Sequence, residues 1–292
     1  MTNNLTLEKV AEKAGVSRST VSRVVNNHPN VREDVRERVL SVIKDTDYRP
    51  HPAARSLASH RTNVIGLVIP RSTHTFFNDP YFPALTEGVA EACNQYDYTL
   101  SLFLFKTEED ERRLIPRISR KGLVDGLIIQ ATHLGDNFIP QLIQGNVPFL
   151  VAGRPMNAPD ASYIDVDNTG GAYDAVVHLI SLGRKRIATI TCALNTSVGI
   201  DRYEGYKRAL FSYGIELDEN LVAEGEFTEQ SGYMAAKQLL PYQPDALFVG
   251  SDTMAVGAMR AVKEANLNVP TEIALVGFDD LGGGGGGGGG GG

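Results

Sequence analysis

The sequence predicts an α/β protein in which a small all-α head precedes a larger core of two doubly wound parallel sheets. Three observations support this: two short amphipathic helices joined by a glycine turn, a linker with two prolines, and a long alternation of strand-like and helix-like segments. The 292 residues give room for about two globular units and a smaller one, at about 100 to 200 residues per domain. We assign residues 1–49 to the head, 50–62 to the linker, and 63–161 and 162–281 to the two lobes of the core.

Composition excludes several classes of protein. The chain is 42% hydrophobic and 22% charged, and no apolar run approaches the roughly 20 residues that a membrane span requires. The first residues, MTNNLTLEKVAEKAG, lack the apolar segment of a signal peptide, so we expect a cytoplasmic protein without membrane contact. Cys93 and Cys192 have no C-x-x-C or Cys/His cluster around them, and we interpret both as core thiols.

The chain ends in eleven consecutive glycines, residues 282–292. Such a run buries no side chains and loses the most backbone entropy on ordering, so we interpret it as a placeholder or tag. It matches G-x-G-x-x-G trivially, and no other glycine-rich phosphate-binding loop follows a strand.

Charge is unevenly distributed along the chain. Residues 1–61 contain eleven Lys and Arg against seven Asp and Glu, whereas the remainder contains 17 against 28. A basic head on an acidic body favours binding of a polyanion by the head. Chance variation in a short segment is the alternative.

The first helix of the head is indicated by apolar side chains that recur with helical spacing from Leu7 to Ala14. Thr6 is placed to cap this helix, and Leu5 and Val10 can pack across its start as a hydrophobic staple. Gly15 then ends the helix.

The second helix is capped by Ser17, with Val16 and Val21 as its staple. Its inward side chains are predicted to be Val21, Val24 and Val25. Its outward side chains are predicted to be Arg18, Ser19, Ser22, Arg23 and Asn26. A third helix, at about residues 32–45, adds Val35, Val39, Val42 and Ile43 to the same small core.

A helix-turn-helix unit of this kind fits the major groove of DNA. Arg can bond bidentately to guanine there and Asn to adenine, and the second helix presents such side chains from its amino-terminal end. The alternative is a solvated polar helix face. The residues that we predict to contact DNA from the head are Thr6, Ser17, Arg18, Ser19, Thr20, Ser22, Arg23 and Asn26.

The stretches TLEKVAEKAGVSRSTVSRVVNN, VREDVRERV and YRPHPAARSLA resemble the head of the LacI/GalR family of bacterial repressors. The resemblance extends from about Leu5 to Leu281, and it implies a two-lobed core like that of the periplasmic binding proteins. It also implies a homodimer that binds palindromic double-stranded operator DNA and responds to a small-molecule effector.

The linker contains Pro50 and Pro52, which prevent the third helix from continuing, and then a short segment of high helix propensity around Ala54. Such a segment can fold on contact with a partner. By resemblance it forms a hinge helix in the minor groove, and Leu57 matches the leucine that wedges into the central base step. A solvated linker in which Leu57 packs on the core is the alternative.

The core shows the alternation of an α/β fold. Short apolar strands are predicted at residues 64–70, 100–105, 126–130 and 148–152. A second α/β unit is predicted to begin near Ser162 with YIDVD, followed by a helix at about 169–182, RIATIT, helices at about 201–213 and 231–240, ALFVG, another helix and IALVGFDD.

Two doubly wound lobes predict a ligand cleft at the carboxyl ends of their strands. Tyr81 and Phe82 begin a helix after the first strand, and Arg202 begins another helix after a strand-end loop. Phe227 lies on a further loop, and Asp252 comes directly after a strand. Arg and Asp around aromatic faces suit a polyhydroxylated ring. By resemblance, all of these except Tyr81 match effector contacts.

Three of these residues have an alternative role. Arg202 and Asp252 could cap or pair within their lobe, and Phe227 could belong to the core. Asp167 and Asn168 are better interpreted as helix-cap residues than as ligands.

Effector binding in the cleft is expected to change the angle between the lobes and hence the separation of the hinge starts near Thr62. A sugar is the leading effector. A purine, a phosphorylated metabolite or a partner protein remains open, as does a DNA-binding head fused to a sugar-processing enzyme.

Enzyme motifs are missing from the sequence. No G-x-S-x-G, H-E-x-x-H or P-loop occurs, and the aspartates near strand ends lie on different elements. We therefore predict no catalytic residues, no metal site and no cofactor. Two features depart from the family: its core continues for some tens of residues beyond VGFDDL, and the loop RSTHTFFNDPYF is longer than usual, which leaves Phe76 and Phe77 unassigned.

Overall fold

The computed structural model describes residues 6–26, 28–46, 48, 61–69, 79–105, 107–120, 122–130, 138–145 and 147–281. These fall into two compact units, one within Met1–Asn63 and Gly122–Asp125 and the other within Val64–Lys121 and Gly126–Gly292. The features of the sequence analysis that lie outside the described residues are Leu5, most of the linker with Ala54 and Leu57, Phe76, Phe77 and the glycines 282–292.

The head consists of three helices: α1 (Leu7–Ala14), α2 (Arg18–Val25) and α3 (Glu33–Thr46). Gly15 ends α1 in the left-handed conformation, with φ of 62°, which a glycine adopts without steric cost. Its N–H donates to the carbonyl of Glu12, and the next N–H donates to the carbonyl of Ala11. Ser17 then caps α2 by accepting from the N–H of Thr20 at 3.2 Å. The predicted helix, turn and helix are confirmed.

The three helices enclose a small valine core. Its buried members are Val10, Ala11, Ala14, Val21, Val24, Val39 and Tyr48. Val25, Val42 and Ile43 pack against it, as expected. Val35 is half-buried but does not belong to this cluster, whereas Val31 packs against the cluster from the loop before α3.

In the described part of the second unit, a first sheet contains five parallel strands in the order β2-β1-β3-β4-β5. They are β1 (Val64–Ile69), β2 (Thr99–Leu104), β3 (Gly126–Gln130), β4 (Phe149–Ala152) and β5 (Tyr163–Ile164). The helices between them are α4 (Tyr81–Gln95), α5 (Glu108–Ile118) and α6 (Phe138–Ile143).

The assignment of the YIDVD strand to the second lobe is wrong. Tyr163 pairs with Val151, and Ile164 with Ala152, so β5 completes the first sheet. The chain leaves that sheet only after Ile164. A strand's sequence pattern shows that it is a strand but does not show which sheet it joins.

The second sheet has the order β7-β6-β8-β9, again with parallel pairing throughout its described strands. These strands are β6 (Ile187–Thr191), β7 (Val222–Glu224), β8 (Ala246–Val249) and β9 (Ala274–Val276). The helices are α7 (Asn168–Ser181), α8 (Ser197–Ser212), α9 (Glu229–Leu239) and α10 (Asp252–Glu264), with short 3-10 turns at Glu219–Leu221 and Leu240–Tyr242.

Helices cover both faces of the second sheet, as a doubly wound fold requires. Residues of α7 and α8 pack with Ile187 and Phe248 on one face, and residues of α9 and α10 pack with Ile190 and Val249 on the other. On the first of these faces α7 and α8 lie close together. A Cβ at Gly205 would overlap the carbonyl oxygen of Thr169 and the methyl group of Ala172. The two helices therefore contact each other through their backbones at this point.

The second helix of this lobe begins earlier than predicted, at Ser197 instead of about residue 201. Thr196 provides the cap, since its hydroxyl accepts from the N–H of Gly199 at 3.0 Å. Arg202 therefore lies in the second turn of α8 and not at its start.

Both cysteines are free thiols and buried, as interpreted from the sequence. Burial raises the pKa of Cys192 to about 12, and its thiol donates to the carbonyl of Gly250 at 3.1 Å. None of the described helices is long and apolar enough to cross a membrane.

Candidate functional site

The first candidate site is the outer face of α2, which we call the recognition surface: Arg18, Ser19, Ser22, Arg23 and Asn26. All are exposed except Ser22, which is half-buried beside the valine core. Helical spacing separates these polar side chains from the buried Val21 and Val24, so the predicted division into inner and outer faces is confirmed.

Hydroxyl groups organise the amino-terminal turn of α2. The Ser17 hydroxyl lies 2.8 Å from the hydroxyls of both Ser19 and Thr20. Thr6 has the extended backbone of a capping residue at α1 but makes no side-chain capping bond to that helix. Its side chain instead hydrogen-bonds the carboxylate of Glu8. A backbone hydrogen bond, and after it this contact with Thr6, lowers the pKa of the Glu8 carboxyl.

Arg18 forms an ion pair across the head. Its Nε lies 3.2 Å from Oε1 of Glu8 on α1, and the Arg18 side chain is 73% exposed. Exposed pairs of this kind contribute little to stability, so the guanidinium is held near α1 by a contact that a stronger partner can replace. At the other end of α2 the Asn26 amide donates to the Ser22 hydroxyl at 3.4 Å.

The second candidate site is a cavity of about 650 Å³ in the core. Its lining comes from α4 on the side of the first sheet and from α7, α8, α10 and the segment after β9 on the side of the second. The lining residues are Tyr81, Ala84, Leu85, Val166, Gly171, Ala175, Arg202, Asp252 and residues 277–281. The cavity therefore lies where strands of the second sheet end, as expected for parallel α/β sheets.

Arg202 is the most extensively bonded side chain in the wall of this cavity. Nε donates to Oδ1 of Asn168 at 2.9 Å, Nη1 donates to the carbonyl of Gly250 at 2.5 Å, and Nη2 lies 2.8 Å from Oδ1 of Asp279. The guanidinium carbon also lies 3.7 Å from the centroid of the Phe278 ring, within the range of a cation–π contact. Its side chain is only 8% exposed. The alternative role, pairing within the lobe, is thus part of what Arg202 does.

Three carboxylates line the cavity with Arg202, namely Asp252, Asp279 and Asp280, and the first two are bonded within its wall. Asp252 begins α10 and accepts from the N–H of Leu281 at 3.0 Å, and Asp279 pairs with the guanidinium. Burial raises the pKa of both carboxyls, and the charge of Arg202 offsets part of that rise. Such carboxylates are strong hydrogen-bond acceptors in a partly desolvated wall.

The backbone after β9 is strained beside the cavity. Asp279 has φ of 108° and Asp280 has φ of 52°, values that L-residues other than glycine rarely adopt. Strain of this kind concentrates at binding sites, where the surrounding structure holds the residue in place. Here the bonds of Asp279 to Arg202 and of Leu281 to Asp252 hold the segment.

The aromatic residues predicted for the cleft divide into two groups. Tyr81 lines the cavity, its hydroxyl donates to Oε1 of Gln130 at 3.0 Å, and burial raises its pKa. Phe82 packs against Leu67 and Ile69 of β1, with its ring at an edge-on angle to that of Tyr81. Phe227 packs against the core of the second sheet, so its alternative role as a core residue is the observed one. Neither phenylalanine belongs to the described lining.

Sequence reasoning missed Asp279 and Phe278 as members of the site. Asp252 follows a strand, and the FDD stretch follows β9 in the same way. That shared position at the carboxyl end of a strand was a signal that could have identified Asp279.

Polar contacts connect a loop of the first sheet with a helix that covers the second sheet. Arg154, in the loop after β4, forms a bidentate pair with Asp201 of α8, at 3.0 and 2.6 Å. The N–H of Arg154 also donates to Oδ2 of Asp165 at 2.9 Å. Asp167 caps α7 by accepting from the N–H of Gly170, as interpreted from the sequence.

Comparison with known families gives two matches that together span most of the chain. Residues 6–51 match the model of bacterial regulatory proteins of the lacI family. Residues 62–285 match the model of periplasmic binding proteins and the sugar-binding domain of the LacI family.

Individual relatives resemble the chain over most of its length. HTH-type transcriptional regulator CelR of Thermobifida fusca is 37% identical over 279 residues, covering 94% of this chain and 82% of CelR. A solved CelR–cellobiose complex has a TM-score of 0.71 and 35% identity, covering 94% of this chain and 83% of that one. The lac repressor dimer bound to operator and the anti-inducer ONPF has a TM-score of 0.78 and 27% identity, covering 95% and 83%.

Proposed function

Since the chain belongs to the LacI family of bacterial regulatory proteins, we propose that it represses genes of sugar metabolism. Membership of this family makes it a DNA-binding transcriptional regulator and not an enzyme. We further propose that a saccharide in the core cavity switches its affinity for operator DNA.

The observation that supports a saccharide is the pairing of Arg202 with Asp279 in the cavity wall, close to Asp252. Each sugar hydroxyl both donates and accepts a hydrogen bond, so it needs a donor and an acceptor nearby. The guanidinium supplies donors and the two carboxylates supply acceptors. Tyr81 adds an aromatic ring and apolar surface for the face of a sugar ring.

The size of the cavity agrees with this proposal. Ligand sites commonly have volumes of about 300 to 1,000 Å³, and the cavity of about 650 Å³ lies in that range. The CelR–cellobiose complex supports a disaccharide, because CelR is similar to this chain along most of its length. Cellobiose is therefore the first candidate.

On DNA, the recognition surface of α2 is proposed to enter the major groove of an operator half-site. Arg18 and Arg23 are the cations of this surface, and Ser17, Ser19 and Thr20 present hydroxyls at the amino-terminal turn, where a helix also attracts phosphate. A homodimer would place two such helices on a palindromic operator. Ala54 and Leu57 are proposed to contact the minor groove between them. These roles imply a cytoplasmic location.

Thermal unfolding of the full chain with a panel of mono- and disaccharides, nucleobases and phosphorylated sugars tests the effector. A ligand at about a hundred times its dissociation constant adds about 2.7 kcal/mol to the free energy of unfolding. We expect one saccharide to raise the unfolding temperature and also to change operator affinity. Arg202→Ala should lose the shift, whereas Lys207→Ala, which changes a half-buried residue of the same helix outside the cavity lining, should keep it.

The result that would overturn the saccharide is a shift with a nucleobase or a phosphorylated compound alone. A saccharide that shifts unfolding but leaves operator affinity unchanged would remove the switch and leave DNA binding intact.

A further inference from the structure

Asn168, the first residue of α7, has its side chain buried behind the cavity wall, with 3% of the residue exposed. Its carbonyl oxygen accepts from Nε of Arg202 at 2.9 Å. Its amide nitrogen donates to Oδ1 of Asp165 at 3.1 Å and lies 3.3 Å from the carbonyl of Val166. The side chain therefore bridges a carboxylate and a guanidinium.

Chemistry allows only one orientation of this amide. A carboxylate can only accept and a guanidinium can only donate, so the oxygen of Asn168 must face Arg202 and its nitrogen must face Asp165. Aspartate at this position would lose the donor, and an apolar residue would lose both bonds. An amide of this length satisfies both neighbours.

Asp165 is itself fixed on two sides. Its Oδ2 accepts from the N–H of Arg154 in the loop after β4, and its Oδ1 accepts from the N–H of Val166. Asp165 lies in the segment that leads from β5 to α7. The orientation of Asn168 is thus set by a carboxylate that is tied to the loops of the first sheet.

We propose that Asn168, oriented by Asp165, is a positioning residue that holds the guanidinium of Arg202 in the wall of the effector cavity. The proposal rests on the proposed function of that cavity. Asn168 directs Nε away from the cavity, while Asp279 and Gly250 fix the other two nitrogens. With all three nitrogens oriented, the guanidinium can present one geometry to a ligand without reorganising.

Two substitutions separate this role from a general contribution to folding. Asn168→Ala removes both hydrogen bonds. Asn168→Asp keeps an acceptor for Arg202 but places a second carboxylate against Asp165. We expect Asn168→Asp to unfold at the lower temperature of the two and yet to bind saccharide more tightly than Asn168→Ala. A purely structural role would make affinity follow stability.

The matched control is Asp167→Ala, at the adjacent residue. It removes the cap of α7 but no contact to Arg202, so it should lower the unfolding temperature and leave saccharide affinity within about twofold. Asn168→Ala should weaken binding of the panel's active saccharide, with cellobiose titrated first, by about tenfold or more, since it removes a hydrogen bond to a charged group.

A second measurement needs no ligand. The Nε–H signal of Arg202 in a proton–nitrogen NMR spectrum, identified by its loss in Arg202→Lys, should exchange slowly with solvent in the parent and in Asp167→Ala. It should exchange rapidly in Asn168→Ala. An unchanged signal in Asn168→Ala, or affinities that simply follow unfolding temperature, would overturn the proposal. If no saccharide binds the parent, the proposed function fails while the Nε–H signal still judges the position of Arg202.

Discussion

Arg18 and Arg202 are both arginines of candidate binding sites, yet their surroundings are opposite. Arg18 extends from the recognition surface with 73% of its side chain exposed, and its described ion pair is the exposed one with Glu8. Arg202 is 8% exposed and bonds to Asn168, Gly250 and Asp279 while its guanidinium lies over Phe278.

The difference concerns when the binding geometry forms. The side chains of the recognition surface are short or exposed, and we expect them to take up their final positions only against DNA, where phosphate and base edges supply the partners. The cavity has its polar groups in position before any ligand arrives. We therefore expect substitutions on the recognition surface to affect binding alone, and substitutions in the cavity wall to affect folding and binding together.

The largest expected effect is on stability without ligand. Arg202→Ala leaves Asp279 buried without its counter-ion and should lower the free energy of unfolding by about 3 to 5 kcal/mol. Lys207→Ala breaks a half-exposed pair with Glu204 on the same helix and should cost about 1 kcal/mol or less. Chemical denaturation of both variants measures the free energy of unfolding. Equal losses in the two variants would contradict the view that the bonds of Arg202 contribute more to folding than the contacts of Lys207.

The next effect is on DNA alone. Arg18→Ala should weaken binding by about 1 to 3 kcal/mol at one base pair of the operator if Arg18 reads guanine, with no change in unfolding temperature. Arg32→Ala changes an exposed arginine of the head outside the recognition surface. It should leave the relative affinities for singly substituted operators unchanged. Binding to a set of singly substituted operators measures this, and a uniform loss in Arg18→Ala would reassign it to a phosphate contact.

The smallest effect is on pH dependence. Burial raises the pKa of Asp252 and Asp279, so these carboxylates begin to protonate at a higher pH than ordinary aspartates. Saccharide affinity should therefore be lower at about pH 5 than at about pH 7, by less than about tenfold. A raised folded-state pKa means that ionisation costs stability at neutral pH, and this cost is relieved as the pH falls through that pKa. These two groups therefore should not destabilise the core in mild acid.

The stability of the head should fall in acid, which is opposite to the effect of Asp252 and Asp279 on the stability of the core. The pKa of Glu8 is lowered, chiefly by a backbone hydrogen bond, and that of Asp34 is lowered by the side chain of Arg32. Their stabilising effect is complete above their ordinary pKa and is lost only as the pH falls through the lowered values. Saccharide affinity, measured by calorimetric titration, and operator affinity should each be compared at about pH 7 and about pH 5. A loss of operator affinity that parallels the loss of saccharide affinity would contradict the assignment of the pH effect to Asp252 and Asp279.

The head could be predicted from sequence in detail because its determining contacts are local. Ser17 caps with a partner three residues away, and Gly15 ends a helix through its own conformation. The wall of the cavity depends on contacts between distant residues. Arg202 bonds to Asn168 across 34 residues and to Gly250 across 48, and no periodicity in the sequence encodes such pairs.

The errors of the sequence analysis have the same origin. Tyr163 and Ile164 form the predicted strand. This strand joins the first sheet instead of the second, because strand order is decided by packing. Phe227 was predicted for the cleft from its loop position, yet its backbone has φ of 57° and its ring packs into the core. The pattern located these residues along the chain, while the direction of each side chain depended on tertiary structure.

Gly205 brings the backbones of α7 and α8 together, so a side chain at this position would force the two helices apart. On the opposite wall, Tyr81, Ala84 and Leu85 line the cavity from α4, where side chains are at least partly exposed. Selection for a new effector is therefore expected to find most of its viable variants on α4. A regulator built in this way can acquire new chemical specificities by changing one wall of its cavity while the other is inherited unaltered.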